Sequence, residues 1–261
     1  MALDAARAGH GGLVVIAGEA GMGKTHLLSV WTEHVRAGGA TVLTGHCEEV
    51  TRDLPLQAVI SAITDHLRAA GPGETERVLG PEAQVLAPFL GSSRTGASPQ
   101  PLPTLRGSVV DHLVVFAALM RVLRRVPAPT VLVMDDAHFA GSATAEWIAY
   151  AAREAAAMPL LLVCAQRPEE AGTSSPEAAF AGAETVLLAP LDSAAAVEIV
   201  GAERAAELLL RSGGNPLLLV ELAAADPAAE LPRSIRDAVI ARCERAGPAA
   251  AATLRAAALL G

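Results

Sequence analysis

The chain has 261 residues, of which 52% are apolar and only 3% aromatic, and its net charge is −8. That length holds one large domain, or a core with a smaller appendage, around an interior made mostly of Ala, Leu and Val. The acidic balance makes the chain a poor candidate for non-specific nucleic-acid binding, which requires a basic face. Arg121, Arg124 and Arg125 form a local cluster, which reads as the solvated end of a helix.

In chain order, Leu13–Ala17 is a continuous apolar run, the pattern of a strand buried on both faces. A glycine-rich loop comes next, then a helix from Lys24 to about Arg36 with Leu27, Leu28, Trp31 and Val35 on one face, closed by Gly38-Gly39. Thr41–Gly45 is a second strand, and Pro55 starts a helix that reaches about Ala70. Residues 71–104 carry little periodicity, and 91–101 have the composition of a solvated loop. A long helix is expected from Gly107 to Val126, then a strand, Val131–Met134, ending at Asp135 and Asp136. Ser142 is positioned to cap a helix to about Ala156. Leu160–Ala165 and Thr185–Leu188 are further strands, and only helices are expected after Leu191. Strand and helix alternate up to about residue 190, which predicts a parallel five-stranded sheet between helices. The expected domains are residues 1–190, the αβα core, and 191–261, a small all-α lid.

Three cysteines, Cys47, Cys164 and Cys243, form no C-x-x-C pair and so suggest neither a zinc nor a dithiol site. Cys164 lies in an apolar run and is expected to be a core thiol. No apolar run reaches the ~18 residues that span a bilayer, and the N-terminus has no secretory pattern. A cytoplasmic location without membrane contact is expected.

Among 19 arginines there is a single lysine, Lys24. It lies in Gly18-Glu19-Ala20-Gly21-Met22-Gly23-Lys24-Thr25, which fits G-x-x-x-x-G-K-[ST] at every fixed position. A phosphate loop needs a slim point charge that reaches between phosphates, where a planar guanidinium does not fit. Gly18, Gly21 and Gly23 are expected to free the backbone so that successive N–H groups point at phosphate oxygens. The helix from Lys24 adds its positive end. Lys24 is expected on the β- and γ-phosphates and Thr25 on Mg²⁺.

The run Val131-Leu132-Val133-Met134-Asp135-Asp136 has the form of a Walker B strand. Asp135 is the expected partner of Mg²⁺. Asp136 is a candidate general base, or only a cap for the next turn. One strand and two helices are expected between the Walker motifs. The strand Leu160–Ala165 would lie between the two Walker strands, as in the additional-strand (ASCE) class of P-loop NTPases. Its tip carries Arg167, a candidate γ-phosphate sensor or else a surface ion-pair partner. With a single lysine, no guanine-reading N-K-x-D motif is possible, so adenine is expected.

With G-E-A-G-M-G-K-T, V-L-V-M-D-D-A-H and Q-R-P-E-E in place, the chain resembles the STAND/AAA-type ATPase domains of large ATP-binding regulators of the LuxR type from actinomycetes. Arg211-Ser212-Gly213-Gly214-Asn215-Pro216-Leu217-Leu218-Leu219 is similar to that family's G-N-P segment, which implies a contact of Pro216 with adenine. The 231–236 segment and Arg242 resemble the family's next helical segment, and 256–261 resembles the opening of a further helical or winged-helix element. Two departures stand out. Phe139-Ala140-Gly141 occupies the place of an aromatic residue and an aspartate, and the family's Arg-Glu box would lie before residue 1. The C-terminus is expected to be truncated relative to the family, before its sensor repeats and DNA-reading helices.

The resemblance implies a switch module that holds ATP·Mg²⁺ between core and lid and hydrolyses it slowly to ADP. Self-association, or contact with sensor and DNA-binding segments, is the expected partnership, with no nucleic acid bound by this segment itself. Two other readings are a structural ADP/ATP-binding module with negligible hydrolysis and a small-molecule P-loop kinase. The second would need a basic lid, whereas residues 91–103 carry only Arg94.

Overall fold

The computed structural model describes residues 1–90, 109–167 and 180–224, together with 252, 253 and 256. The 91–101 loop, Arg94, Pro168, the 231–236 segment, Arg242, Cys243 and the residues after 256 lie outside the described residues. The chain divides into two compact units: Met1–Ala20 with Lys24–Leu188, and Gly21–Gly23 with Ala189–Gly261.

The first unit opens with α1 (Ala2–Arg7), β1 (Gly12–Ala17), α2 (Lys24–Ala37) and β2 (Thr41–His46). It continues through α3 (Gln57–Ala70), α4 (Pro72–Leu79), α5 (Ala83–Leu90) and α6 (Val109–Arg125). It closes with β3 (Thr130–Asp135), α7 (Ser142–Ala155), β4 (Leu160–Gln166) and β5 (Glu184–Leu187). The sheet is five-stranded, in the order β2-β3-β4-β1-β5, and every pair is parallel. The additional strand β4 therefore separates the two Walker strands β1 and β3, which is the ASCE arrangement.

The apolar runs are continuous because both sheet faces are covered. Along β3, Leu132 and Met134 join the core on one face, while Val131 and Val133 join the core on the other. The same two-residue alternation divides β4, with Leu160, Leu162 and Cys164 opposite Leu161, Val163 and Ala165. The first core is completed by Trp147 and Ile148 of α7 and by residues of α3 and α6, and the second by Leu28 and Val35 of α2. Cys164 is fully buried, and its thiol is pushed upward in pKa chiefly by that burial. The edge strand β5 is exposed along its length.

Several local expectations need correction. Residues 72–90 form α4, a 3-10 turn and α5. Each helix has only eight residues, too short for the 3.6-residue period to register. Among the described residues, four α-helices, α3 to α6, therefore lie between β2 and β3, where two were expected. Leu27 is 39% exposed; the buried stripe of α2 is Lys24, Leu28, Thr32 and Val35. Gly141, not Ser142, is the N-cap of α7. A Cβ on Gly141 would stand 2.1 Å from the Arg52 carbonyl oxygen, so the close approach of that backbone decides the residue.

The arginine cluster lies at the partly exposed end of α6, as expected, and it also carries ion pairs. Arg121 Nε donates to Glu82 Oε1 at 2.8 Å, and Arg125 Nη1 pairs with Glu82 Oε2. Arg124 bonds Glu154 at 2.9 Å. Glu82 is buried, and the Arg125 hydrogen bond, with Arg121 adding to it, holds its carboxyl below the usual glutamate range. The pair ties the turn before α5 to α6.

The second unit contains α8 (Ser193–Val200), α9 (Ala202–Ser212) and α10 (Pro216–Ala224). Ala196, Ala205, Leu208, Leu219 and Leu222 form its core. Asp192 caps α8 by accepting from the Ala195 N–H at 2.8 Å.

Candidate nucleotide site

β1 delivers the chain into the glycine-rich loop at the C-terminal edge of the parallel sheet, the side where open α/β sheets bind ligands. Gly21 and Gly23 take φ of +78° and +84°, angles that a side chain makes costly. Gly18 adopts no such angle, so only two of the three expected glycines serve that purpose. α2 begins at Lys24, so its unsatisfied N–H groups and positive end open onto the loop.

Lys24 is 6% exposed, and its Nζ donates to the Gly18 and Glu19 carbonyls at 2.7 and 2.8 Å. These bonds fold the ammonium along the inside of the loop and take up two of its three protons. The adjacent Thr25 sends its hydroxyl across to β3: Oγ1 donates to Asp135 Oδ2 at 2.8 Å, between residues 110 positions apart. The other Asp135 oxygen accepts the Asp136 N–H at 2.9 Å. Asp135 is therefore held at both oxygens, buried at the strand tip. A hydroxyl beside a carboxylate is a hard oxygen donor set that suits Mg²⁺, which keeps its remaining positions for phosphate and water.

Asp136 has φ 50° and ψ 40°, the left-handed region, and leads into a 3-10 turn over Ala137–Phe139. Its side chain makes no capping bond to that turn. Instead its Oδ1 lies 3.8 Å from Nδ1 of His138, a buried ring packed on Phe139 with centroids 4.1 Å apart. Arg167 comes directly after the end of β4 and is half-buried. The sheet order brings the loop after β1, the Arg167 end of β4 and the Asp135 end of β3 to neighbouring positions on one edge. Pro216 is the first residue of α10 in the second unit. Within that unit as the contacts divide the chain, the Leu217 N–H donates to the Gly21 carbonyl at 3.2 Å.

Two neighbours of the acids were not singled out from the sequence. His46 ends β2 in register with Asp135, and its Nδ1 is 3.9 Å from Asp135 Oδ2. A cavity of about 300 Å³ beside it is lined by Thr25, Ser29, Arg36, His46 and Asp135, among others. Cys47 comes next; its N–H donates to the Asp135 carbonyl at 3.0 Å. Burial first, then the charges of Asp136 and Asp135, push its thiol up to about 12, so it is no nucleophile at neutral pH. The signal for both was the β2–β3 register, which a single sequence does not reveal.

A family model described as the AAA ATPase domain matches residues 1–163. The chain belongs to the AAA ATPase domain family. Membership implies nucleotide binding. No curated protein matches the chain. Among solved structures, the Aeropyrum pernix ORC1 protein in complex with DNA is similar at 16% identity and TM-score 0.50, over 85% of this chain and 55% of that one. The Thermotoga maritima RuvB Holliday junction branch migration motor aligns at 16% identity and TM-score 0.44, over 85% and 57%. The genome packaging NTPase B204 from Sulfolobus turreted icosahedral virus 2, in complex with ATP-gammaS, aligns at 13% identity and TM-score 0.34, over 75% and 85%. The ORC1 likeness carries the fold of this AAA ATPase domain and nothing finer. The chain spans about half the length of the ORC1 and RuvB structures. No helix among the described residues is long and apolar enough to cross a membrane.

Proposed function

We propose that this AAA ATPase domain is the ATP-binding, slowly hydrolysing switch module of a cytoplasmic STAND-type transcriptional regulator of the LuxR kind. The observation that carries the nucleotide part is the Thr25–Asp135 hydrogen bond at 2.8 Å, which joins the two Walker motifs across 110 residues. Gly18 to Lys24 cradle the phosphates, and Lys24 exchanges its two loop carbonyls for phosphate oxygens. Thr25 and Asp135 would hold Mg²⁺, which would supply charge neutralisation for the phosphates. Asp136 orients the attacking water, and Arg167 stabilises charge on the γ-phosphate. Pro216 packs on the adenine. The regulator assignment rests on the motif order from G-E-A-G-M-G-K-T to G-N-P, and the lid assignment of residues 191–261 rests on the same resemblance.

Equilibrium binding of a fluorescent ATP analogue tests the core of the proposal. Lys24→Ala is expected to weaken binding by at least about a hundredfold, or roughly 2.7 kcal/mol. Equal affinity in the variant would sink it. A reporter gene under the regulator's control should likewise lose its response when Lys24 is replaced.

A second reading, a module that holds nucleotide structurally, has one observation in its favour. Asp136 stands on left-handed backbone with His138 beside its carboxylate. An aspartate is also shorter than the glutamate many ATPases use at this place.

A further inference from the structure

The first turn of α10 places its backbone N–H groups one by one. Pro216 opens the helix and has none. The Leu218 N–H goes to Asn215 Oδ1 at 3.2 Å, the bond of an N-cap, and the Leu219 N–H goes to the Asn215 carbonyl at 2.9 Å. Leu217 is left, and its N–H leaves the helix for the Gly21 carbonyl at 3.2 Å. The Asn215 amide lies over the same glycine: a Cβ on Gly21 would stand 2.7 Å from its Oδ1 and 3.1 Å from its Nδ2. Gly21–Gly23 belong with α10 to the second unit, so a helix far downstream backs this stretch of the glycine-rich loop. The next N–H in the loop, that of Met22, makes no hydrogen bond among the described residues.

We infer that the turn from Asn215 to Leu217 is a positioning element for the phosphate loop, and that the Leu217 N–H fixes which way the Gly21–Met22 peptide faces. A trans peptide carries its C=O and N–H on opposite sides. With the Gly21 oxygen held by Leu217, the Met22 N–H is turned away from α10 and is left as a donor for a phosphate oxygen. Glycine does not hold that orientation by itself, because it accepts φ of either sign. A turned-over peptide would set a carbonyl oxygen against the phosphate oxygens, two acceptors with no proton between them. Asn215 serves the same end from the helix side. Its cap bond holds the first turn together, and its amide closes the space over Gly21. Both residues act through the loop backbone, a role that rests on the nucleotide reading.

The test compares two substitutions at one position of the whole chain. Leu217→Pro deletes the donor, and proline is tolerated in the first turn of a helix, where the N–H has no intrahelical partner. Leu217→Ala removes the side chain and keeps the N–H. Binding is read with fluorescent analogues of ATP and ADP. Leu217→Pro should weaken both by about tenfold, the upper end for one net hydrogen bond. Leu217→Ala should stay within about twofold of the wild type. The two variants should share one circular dichroism spectrum and one thermal midpoint, which a merely structural loss would separate. NMR of the free protein should show the Gly21 carbonyl and Met22 amide resonances displaced in Leu217→Pro and unmoved in Leu217→Ala. A second measurement needs no variant: the Leu217 amide of the wild type should be protected from hydrogen exchange, and more so with the ATP analogue bound. Equal affinity in Leu217→Pro and Leu217→Ala, or an unprotected Leu217 amide in the wild type, overturns the inference and leaves the nucleotide reading standing. A wild type that binds neither analogue removes the nucleotide reading, and the inference falls with it.

Discussion

Lys24 and Thr25 are neighbours in sequence, yet they have different work in this site. Lys24 turns back along its own loop to the Gly18 and Glu19 carbonyls, while Thr25 reaches across to Asp135. The first contact depends only on local chain geometry, and the G-x-x-x-x-G-K-[ST] spacing announces it. The second depends on where β3 lies, and the sequence supplies only the two ends. On the proposed Mg²⁺ role of Thr25, its removal should affect the metal contribution alone. Thr25→Val keeps the volume and deletes the hydroxyl. The gain in ATP-analogue affinity on adding Mg²⁺ should fall by about tenfold in the variant, or ~1.4 kcal/mol. In EDTA the two proteins should bind alike. Unchanged Mg²⁺ dependence would remove Thr25 from the metal site.

At the scale of elements, legibility followed length and burial. The strands were readable because β1, β3 and β4 are covered on both faces, which leaves unbroken apolar runs. α4 and α5 were not readable: eight-residue helices broken up by Pro72, Pro81 and Pro88 give no period to follow. Nor could the sequence say what Arg121 and Arg125 do, because their partner Glu82 lies 39 and 43 residues earlier. That pair makes a prediction. The Arg125 bond depresses the Glu82 pKa in the folded protein, so the stabilisation is present above the unfolded glutamate value of about 4.3. It is lost as pH falls through the folded value. Glu82→Gln should lower stability at pH 7 by about 1 to 2 kcal/mol, toward the small end for charged hydrogen bonds because both arginines keep solvent contact. In urea titrations the gap between wild type and variant should close as pH falls from about 6 to 3. A gap that stays constant would show that the Glu82 charge contributes nothing.

For the whole molecule, membership of the AAA ATPase domain family implies nucleotide binding and leaves the rate of hydrolysis open. On the proposed base role, the decision falls on Asp136. Its backbone lies in the left-handed region at the start of a 3-10 turn, and its own N–H is committed to Asp135. The carboxylate therefore has one short tether from a fixed point, and its reach toward an attacking water is limited by having one methylene fewer than glutamate. A switch that resets by hydrolysis needs that reach; a structural holder does not. The switch reading predicts slow but multiple-turnover phosphate release from ATP·Mg²⁺, and an Asp136→Ala variant that keeps ATP-analogue affinity within about threefold, well under 1 kcal/mol. Turnover should fall by about a hundredfold, the low end for loss of a general base. Asp136→Glu adds the missing methylene and should retain turnover at or above the wild-type rate. If wild type and Asp136→Ala release phosphate equally slowly, the nucleotide is a structural component of the fold, and any switching must come from exchange of ADP for ATP.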